Sequence, residues 1–186
     1  MNIGFALCGS FCTFGSVFPV MRQLAQSHDV YPIFSFSAAS IDTRFGNAAD
    51  FIADARRITG RSVWSTIADV EPISPRRLLD LLVIAPCTGN TLAKLSRSIA
   101  DTPVTMAAKS ILRNGRPVVV AGSTNDGLSG AAENIGRLLS KKHYFFVPFG
   151  QDNAQTKPCS LVAHFDQIPA AVQAASEGRQ LQPLLQ

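Results

Sequence analysis

The stretch from Leu81 to Leu95, LLVIAPCTGNTLAKL, constrains this chain more than any other. An apolar run passes directly into the small, polar turn Pro86-Cys87-Thr88-Gly89-Asn90-Thr91. A helical pattern follows, with Leu92, Leu95 and Ile99 on one face. A strand that turns this tightly into a helix aims free backbone N–H groups and short polar side chains beyond the strand end. In an open parallel α/β sheet, that rim is where ligands bind.

The same alternation recurs along the chain. Ile3 to Cys8 reads as a strand, and Phe14, Val17, Phe18, Met21, Leu24 and Ala25 form a helical stripe. Pro19 implies either a helix that begins near Ser16 or a kink. Val30 to Phe36 is a second strand, after which Ser35, Ser37 and Ser40 lead into a loop ending at Thr43-Arg44-Phe45-Gly46. Asn47 is placed to cap a helix bearing Ala48, Phe51, Ile52 and Ala55, which Gly60 stops. Val63 to Ile67 is a short strand or turn, and Pro72 and Pro75 make the next stretch irregular. Leu81 to Ala85 is a buried strand, followed by helices over Thr91 to Ala100 and from Thr102-Pro103 to about Asn114-Gly115. Pro117 to Ala121 is a strand with Gly122 to Gly127 as its exit loop, and Leu128, Ala132, Ile135 and Leu139 mark a helix. Tyr144 to Val147 is a last core strand and Gln167 to Ser176 a closing helix. Strands alternating with helices predict one doubly wound parallel sheet in a single domain over 1–186, with 177–186 an extended tail.

Composition narrows the function classes. The 186 residues are 46% hydrophobic and 16% charged, as a globular chain requires. The net charge of +4 is scattered over pairs such as Arg56-Arg57, Arg76-Arg77 and Lys141-Lys142. That pattern argues against a nucleic-acid surface and suits an anionic small molecule or an acidic partner. No apolar run reaches the roughly 18 residues of a membrane helix. Met1-Asn2-Ile3-Gly4 starts a strand without a basic leader, so a cytoplasmic location is expected. Cys8, Cys12, Cys87 and Cys159 form no CxxC pair, and His28, His143 and His164 are dispersed, so reduced thiols and no metal site are expected.

Three strand exits share one character. Gly9-Ser10-Phe11-Cys12-Thr13 offers close backbone approach and hydroxyls suited to a phosphate, with an ordinary capped turn as the alternative. It matches neither GxGxxG nor a Walker loop, which disfavours a standard dinucleotide site or an ATPase. Ser35-Phe36-Ser37 carries two hydroxyls that suit a ribityl or phosphate oxygen, or are simple loop serines. Thr88-Gly89-Asn90-Thr91 adds an amide that donates and accepts, as the edge of a heterocycle requires, and Asn90 also suits a helix cap.

These segments carry a specific resemblance. Thr43-Arg44-Phe45-Gly46, Val83-Ile84-Ala85-Pro86-Cys87-Thr88-Gly89-Asn90, Ser123-Thr124-Asn125-Asp126 and Phe145-Phe146-Val147-Pro148-Phe149-Gly150-Gln151-Asp152 join Gly9-Ser10 in a set spanning nearly the whole chain. The set resembles the flavoprotein family of FMN-binding cysteine decarboxylases, and within it the B-subunit group of dipicolinate synthases. The resemblance implies a three-layer αβα fold, flavodoxin-like or Rossmann-like, assembled as a trimer or larger homo-oligomer. It implies FMN held by Gly9, Ser10, Thr13, Ser35, Ser37, Thr88, Gly89 and Asn90. It also implies a partner, the A subunit of dipicolinate synthase, with a dinucleotide-binding domain that carries NADP. Together the two are expected to oxidise a dihydrodipicolinate-level dicarboxylate to dipicolinic acid in a sporulating cell. A non-catalytic scaffold that completes its partner's site and an FMN-dependent decarboxylase are the alternatives. The active-site His of the decarboxylases has no counterpart between Ser35 and Gly46, and their Pro-x-Met-Asn motif is replaced by Ser123-Thr124-Asn125.

Aromatising a dihydropyridine removes a hydride equivalent and a proton, so the site needs an acceptor, carboxylate anchors and a base. Arg44 is the candidate carboxylate clamp, because a guanidinium fork matches a carboxylate in two contacts. Lys109 could serve likewise, or be a surface helix Lys. Asn125 is a candidate for substrate or flavin contact, and Asp126 for the base, with a local turn role as its alternative. Cys87 reads as a buried, inert thiol.

Overall fold

The structure is a computed structural model that describes every residue from Met1 to Gln186. In chain order the elements are β1 (Asn2–Leu7), α1 (Phe14–Ala25), β2 (Asp29–Phe34), α2 (Phe36–Ser40), α3 (Ala48–Thr59), α4 (Ile67–Val70) and α5 (Ile73–Arg76). Then come β3 (Leu81–Cys87), α6 (Gly89–Ser96), α7 (Pro103–Arg113), β4 (Val118–Thr124), α8 (Ala132–Leu139), β5 (Tyr144–Phe146), β6 (Phe149–Asn153), β7 (Lys157–Ala163) and α9 (Ile168–Ser176). No helix is long and apolar enough to cross a membrane.

Strands β1 to β5 are parallel in the order 2-1-3-4-5, the flavodoxin-like arrangement. The three central strands are apolar because both faces are covered: every residue of β3 is buried. Helices α1 and α9 pack together on one face, and α7 with α6 and α8 lie on the other, completing three layers. The core is one continuous cluster that includes Phe5, Phe14, Phe34 and Phe146, all fully buried.

The sheet is mixed rather than wholly parallel, which corrects the expectation. Strands β6 and β7 form an antiparallel hairpin, and β7 pairs with the last two residues of β4. The hairpin was hidden because its tip is exposed and polar on both faces, leaving no hydrophobic alternation to read. Asn153 builds the turn: its Oδ1 accepts the N–H groups of Gln155 (3.0 Å) and Thr156 (2.9 Å).

Several boundaries also move. The residues Gly122 to Thr124 continue β4 instead of forming its exit loop. Ile99 and Leu128 lie outside their helices and are exposed, as is Leu139 at the end of α8. The serines after β2 form the short helix α2, not a loop, with Ser35 as its cap. Pro19 lies inside α1, which starts at Phe14. Trp64 makes only an isolated bridge to Ile33. Asn47 stands at the start of α3 but makes no capping bond; Asp42 Oδ1 accepts the Ala48 N–H instead (2.9 Å).

The tail is packed rather than extended. The Phe146 N–H donates to Gln180 Oε1 (2.8 Å), and Gln180 Nε2 donates back to Phe146 O (2.7 Å). One side-chain amide thus satisfies both backbone groups of an edge strand, as a neighbouring strand would. Leu181 and Leu184 pack on the core, and Leu185 bridges Phe149. Replacing Gln180→Ala leaves those backbone groups unpaired, so urea unfolding should show a loss of about 1–3 kcal/mol with an unchanged slope.

Cys8 and Cys87 are buried where β1 and β3 end, while Cys12 is exposed. Burial pushes the Cys8 thiol up to about 11 and that of Cys87 up as well. A thiol reagent should therefore modify Cys12 in the folded protein and reach Cys8 and Cys87 only on unfolding. Burial likewise pushes Tyr144 up to about 12. The unfolded chain releases these protons near 9.0 and 10.0 and the folded chain holds them longer, so the unfolded state binds fewer protons at alkaline pH. Stability measured across a pH series should be flat with respect to these groups below 9.0 and fall above it.

Candidate functional site

The chain leaves β1 toward β2 on one side and returns to β3 on the other, so the ends of β1, β3 and β4 form an open rim. Their exits, Gly9–Thr13, Thr88–Asn90 and Ser123–Asp126, line one cleft of about 680 Å³. That size is in the range of small-molecule and cofactor sites.

The exits are fastened to one another. Ser10 Oγ and Ser123 Oγ are hydrogen-bonded at 2.9 Å, which joins the first exit to the third. Gly89 joins the second to the third by close approach. A Cβ placed there would lie 2.6 Å from Thr124 Oγ1 and 2.8 Å from Asp126 Oδ1. Thr124 Oγ1 in turn donates to Asp126 Oδ1. Thr88 caps α6, its Oγ1 accepting the Thr91 N–H (3.4 Å). Thr91 Oγ1 donates to Cys8 Sγ (3.3 Å), tying α6 to the end of β1. Thr13 Oγ1 donates to Ser10 O (2.8 Å) and shapes the first loop.

The rim is rich in donors. The backbone N–H groups of Gly9, Asn125 and Asp126 have no acceptor within the chain, and the first-turn N–H groups of α6 have no carbonyl one turn behind them. The amides of Asn90 and Asn125 and the hydroxyls of Ser10 and Ser123 face the same space. An anion with a flat, hydrogen-bonding head is the ligand class this donor set fits.

The β6–β7 hairpin supplies the remaining wall, through Asp152, Lys157, Ser160, Leu161 and Val162. Lys157 pairs with Asp152, and the Asp152 hydrogen bond raises the Lys157 pKa above its ordinary value. Lys157 is the only cation lining the cleft. No three His, Cys, Asp or Glu side chains gather in a group that could hold a metal ion.

Of the residues singled out in the sequence, the structure brings together Gly9, Ser10, Thr13, Thr88, Gly89, Asn90, Asn125 and Asp126. It leaves Ser35, Ser37 and Arg44 outside the lining. Ser35 Oγ is spent accepting the Ala38 N–H (3.2 Å) at the start of α2. Ser37 is exposed and stands beside Gly9, where a Cβ on the glycine would lie 3.4 Å from the serine Cβ. Arg44 is on the exposed turn between Thr43 and Gly46, its guanidinium 4.9 Å from the Phe45 ring. The lining residues that sequence reasoning missed are those of the hairpin, because nothing in their pattern marked a strand.

Comparisons with known proteins bear on the fold and the family. The family model described as Flavoprotein matches residues 1–174. The B subunit of dipicolinate synthase from Bacillus subtilis (strain 168) is 44% identical over 185 residues, covering 99% of this chain and 92% of the relative. The crystal structure of the B subunit of dipicolinate synthase from Bacillus halodurans superposes with a TM-score of 0.91 at 42% identity, covering 100% of this chain and 95% of that one. The FMN-dependent cysteine decarboxylase SpaF shares the fold at a TM-score of 0.71 and 20% identity, covering 96% and 97% of the two chains. With the family pattern running through residues 1–174 and the fold of its Bacillus halodurans relative reproduced end to end, the chain belongs to the Flavoprotein family.

Proposed function

We propose that the cleft binds FMN and that the chain acts as the flavoprotein-type component of a dipicolinate synthase. In this reading it works with the dinucleotide-binding A subunit, which carries NADP. The reaction oxidises a dihydrodipicolinate-level dicarboxylate to dipicolinic acid, within a homo-oligomer of this chain. The observation that carries the reading is the convergence of three donor-rich strand exits on one cleft, in a chain 44% identical to the B subunit of such an enzyme.

When bound, FMN supplies a two-electron acceptor. The chain's own residues hold and orient. Ser10 and the free Gly9 N–H, beside the start of α1, suit the phosphate. Asn90 and Asn125 suit the ring edge, since each amide donates and accepts. Lys157 suits a substrate carboxylate at the open side of the cleft. Asp126 has Oδ1 engaged by Thr124, and its Oδ2 is the proposed acceptor for the proton that leaves the ring.

Two experiments test the reading. Purified protein, alone and after incubation with FMN, should show flavin absorbance that is released on denaturation. Gly89→Ala, whose added methyl group collides with Thr124 Oγ1 and Asp126 Oδ1, should weaken FMN binding by about tenfold or more. A colourless protein that takes up no FMN ends the flavin assignment. In the reconstituted synthase, Lys157→Ala should raise KM for the dicarboxylate severalfold, more than Arg44→Ala does, with the flavin spectrum unchanged. The Lys157 effect should shrink as salt is added, because this side chain is exposed.

A further inference from the structure

The pairs Arg76-Arg77 and Lys141-Lys142 are far apart in the sequence, but the fold brings them to one edge of the sheet. Strands β3, β4 and β5 are parallel and start in line, with Leu82 opposite Val118 and Val118 opposite Tyr144. The turns that lead into them, 76–80, 113–117 and 141–143, therefore lie side by side. They are also tied together. Asn114 Nδ2 donates to Ser74 O (3.1 Å), Arg116 pairs with Asp80 (2.5 Å), and the Val118 N–H donates to His143 O (2.8 Å). These turns hold six of the chain's 17 Lys and Arg and one of its 13 Asp and Glu. Their net charge of +5 exceeds the +4 of the whole chain, and everything else carries 11 cations against 12 anions. The excess positive charge of the molecule is thus confined to this edge. Asp80 already serves Arg116 and the Asn2 N–H (2.9 Å), and Lys141 donates to the Leu95 and Ser96 carbonyls. Arg76, Arg77, Arg113 and Lys142 are exposed and make no ion pair. Glu71 stands before α5, at the opposite end of that helix from Arg76.

Helices α5, α7 and α8 end at this edge, and basic residues suit helix C-termini. Each such end is equivalent to about −0.5 charge, so the three together offset about 1.5 and leave most of the excess unanswered. We propose that this edge is a docking surface for an acidic segment of a partner protein, whose carboxylates take Arg76, Arg77, Arg113 and Lys142. A guanidinium fork matches a carboxylate in two contacts. Adjacent strands lie about 4.8 Å apart, so the outer turns are about 10 Å from each other, the width of a single helix. The edge fits a protein better than other polyanions. Its turns carry no exposed aromatic ring on which the bases of a nucleic acid could stack, and no exposed large apolar side chain to enter a bilayer. The seven residues of β3 separate the edge from the cleft by roughly 20 Å. A partner bound here leaves the cleft open, and the surface does not depend on the flavin reading.

The test uses the full chain and fluorescein-labelled deca-glutamate as the probe, followed by fluorescence anisotropy at low salt. Saturable binding is expected, weakening as salt is added. The variant Arg76→Gln/Arg77→Gln/Arg113→Gln/Lys142→Gln should weaken it about tenfold or more. The control Arg22→Gln/Arg56→Gln/Lys109→Gln/Arg137→Gln removes the same charge from exposed positions elsewhere and should change it by less than about twofold. No saturable binding overturns the proposal. So does an equal loss in both variants, which would make net charge the cause rather than this edge. Labelled deca-thymidylate and phosphatidylserine-containing vesicles are the competing arms. Tighter binding of either, lost in the first variant alone, would assign the edge to a nucleic acid or a membrane and overturn the protein partner. Circular dichroism separates a lost contact from a lost fold. If the fourfold variant fails to fold, Arg76→Gln/Lys142→Gln against Arg22→Gln/Lys109→Gln decides in the same way, with a loss of about threefold expected in the first only.

Discussion

Everything at the rim depends on how closely two backbones approach. The exit of β3 runs past the exit of β4 with Gly89 against Thr124 and Asp126, at distances where a methyl group has no room. This contact, with the Ser10–Ser123 hydrogen bond, turns three separate loops into one rigid wall. Parallel register supplies the rest. Because β1, β3 and β4 run side by side in one direction, their exits emerge at the same edge of the sheet. A loop network of this kind needs little side-chain reach: short hydroxyls and amides suffice once the backbones are in place.

Strand β4 has two roles along its length. Its first half, Val118 to Val120, pairs in parallel with β5, and its last residues, Ser123 and Thr124, pair antiparallel with β7. Past the core the sheet therefore changes partners, and the new partner rises as the fourth wall of the cleft. That arrangement covers an otherwise open edge of β4. It also sets the only lining cation, Lys157, on a hairpin anchored at its base by Leu161 and Val162. The tail continues the same logic. The side chain of Gln180 closes the edge of β5, and Leu185 bridges the first residue of β6.

Much of this was legible in the sequence, and the part that was not has a physical explanation. The apolar runs of β1, β3 and β4 are buried on both faces, so they stand out without any alternation. The polar exits stand out because Gly, Ser, Thr and Asn follow an apolar strand directly. Helix ends were weaker, because Ile99 and Leu128 continue the hydrophobic spacing by chance while lying in exposed turns. The hairpin was illegible because a tip exposed on both faces carries no period-two signal; only its base, with Phe149, Ser160, Leu161 and Ala163, is buried. Arg44 was attractive for its chemistry alone. Chemistry says what a guanidinium can grip, but only the fold says where it points.

The charge of the cleft adds a further step. Its lining holds one lysine against two carboxylates, Asp126 and Asp152, and Lys157 is already paired with the second. An anion held at the inner part of the cleft, away from Lys157 at its open side, draws little of its affinity from opposite charge. It relies instead on neutral donors fixed in advance: free backbone N–H groups at Gly9, Asn125 and Asp126, and the hydroxyls of Ser10 and Ser123. Such donors lose less on binding than flexible lysines do, because the strands that carry them are already ordered. A site built in this way is suited to a component that shares its substrate with a second protein, the role proposed for it.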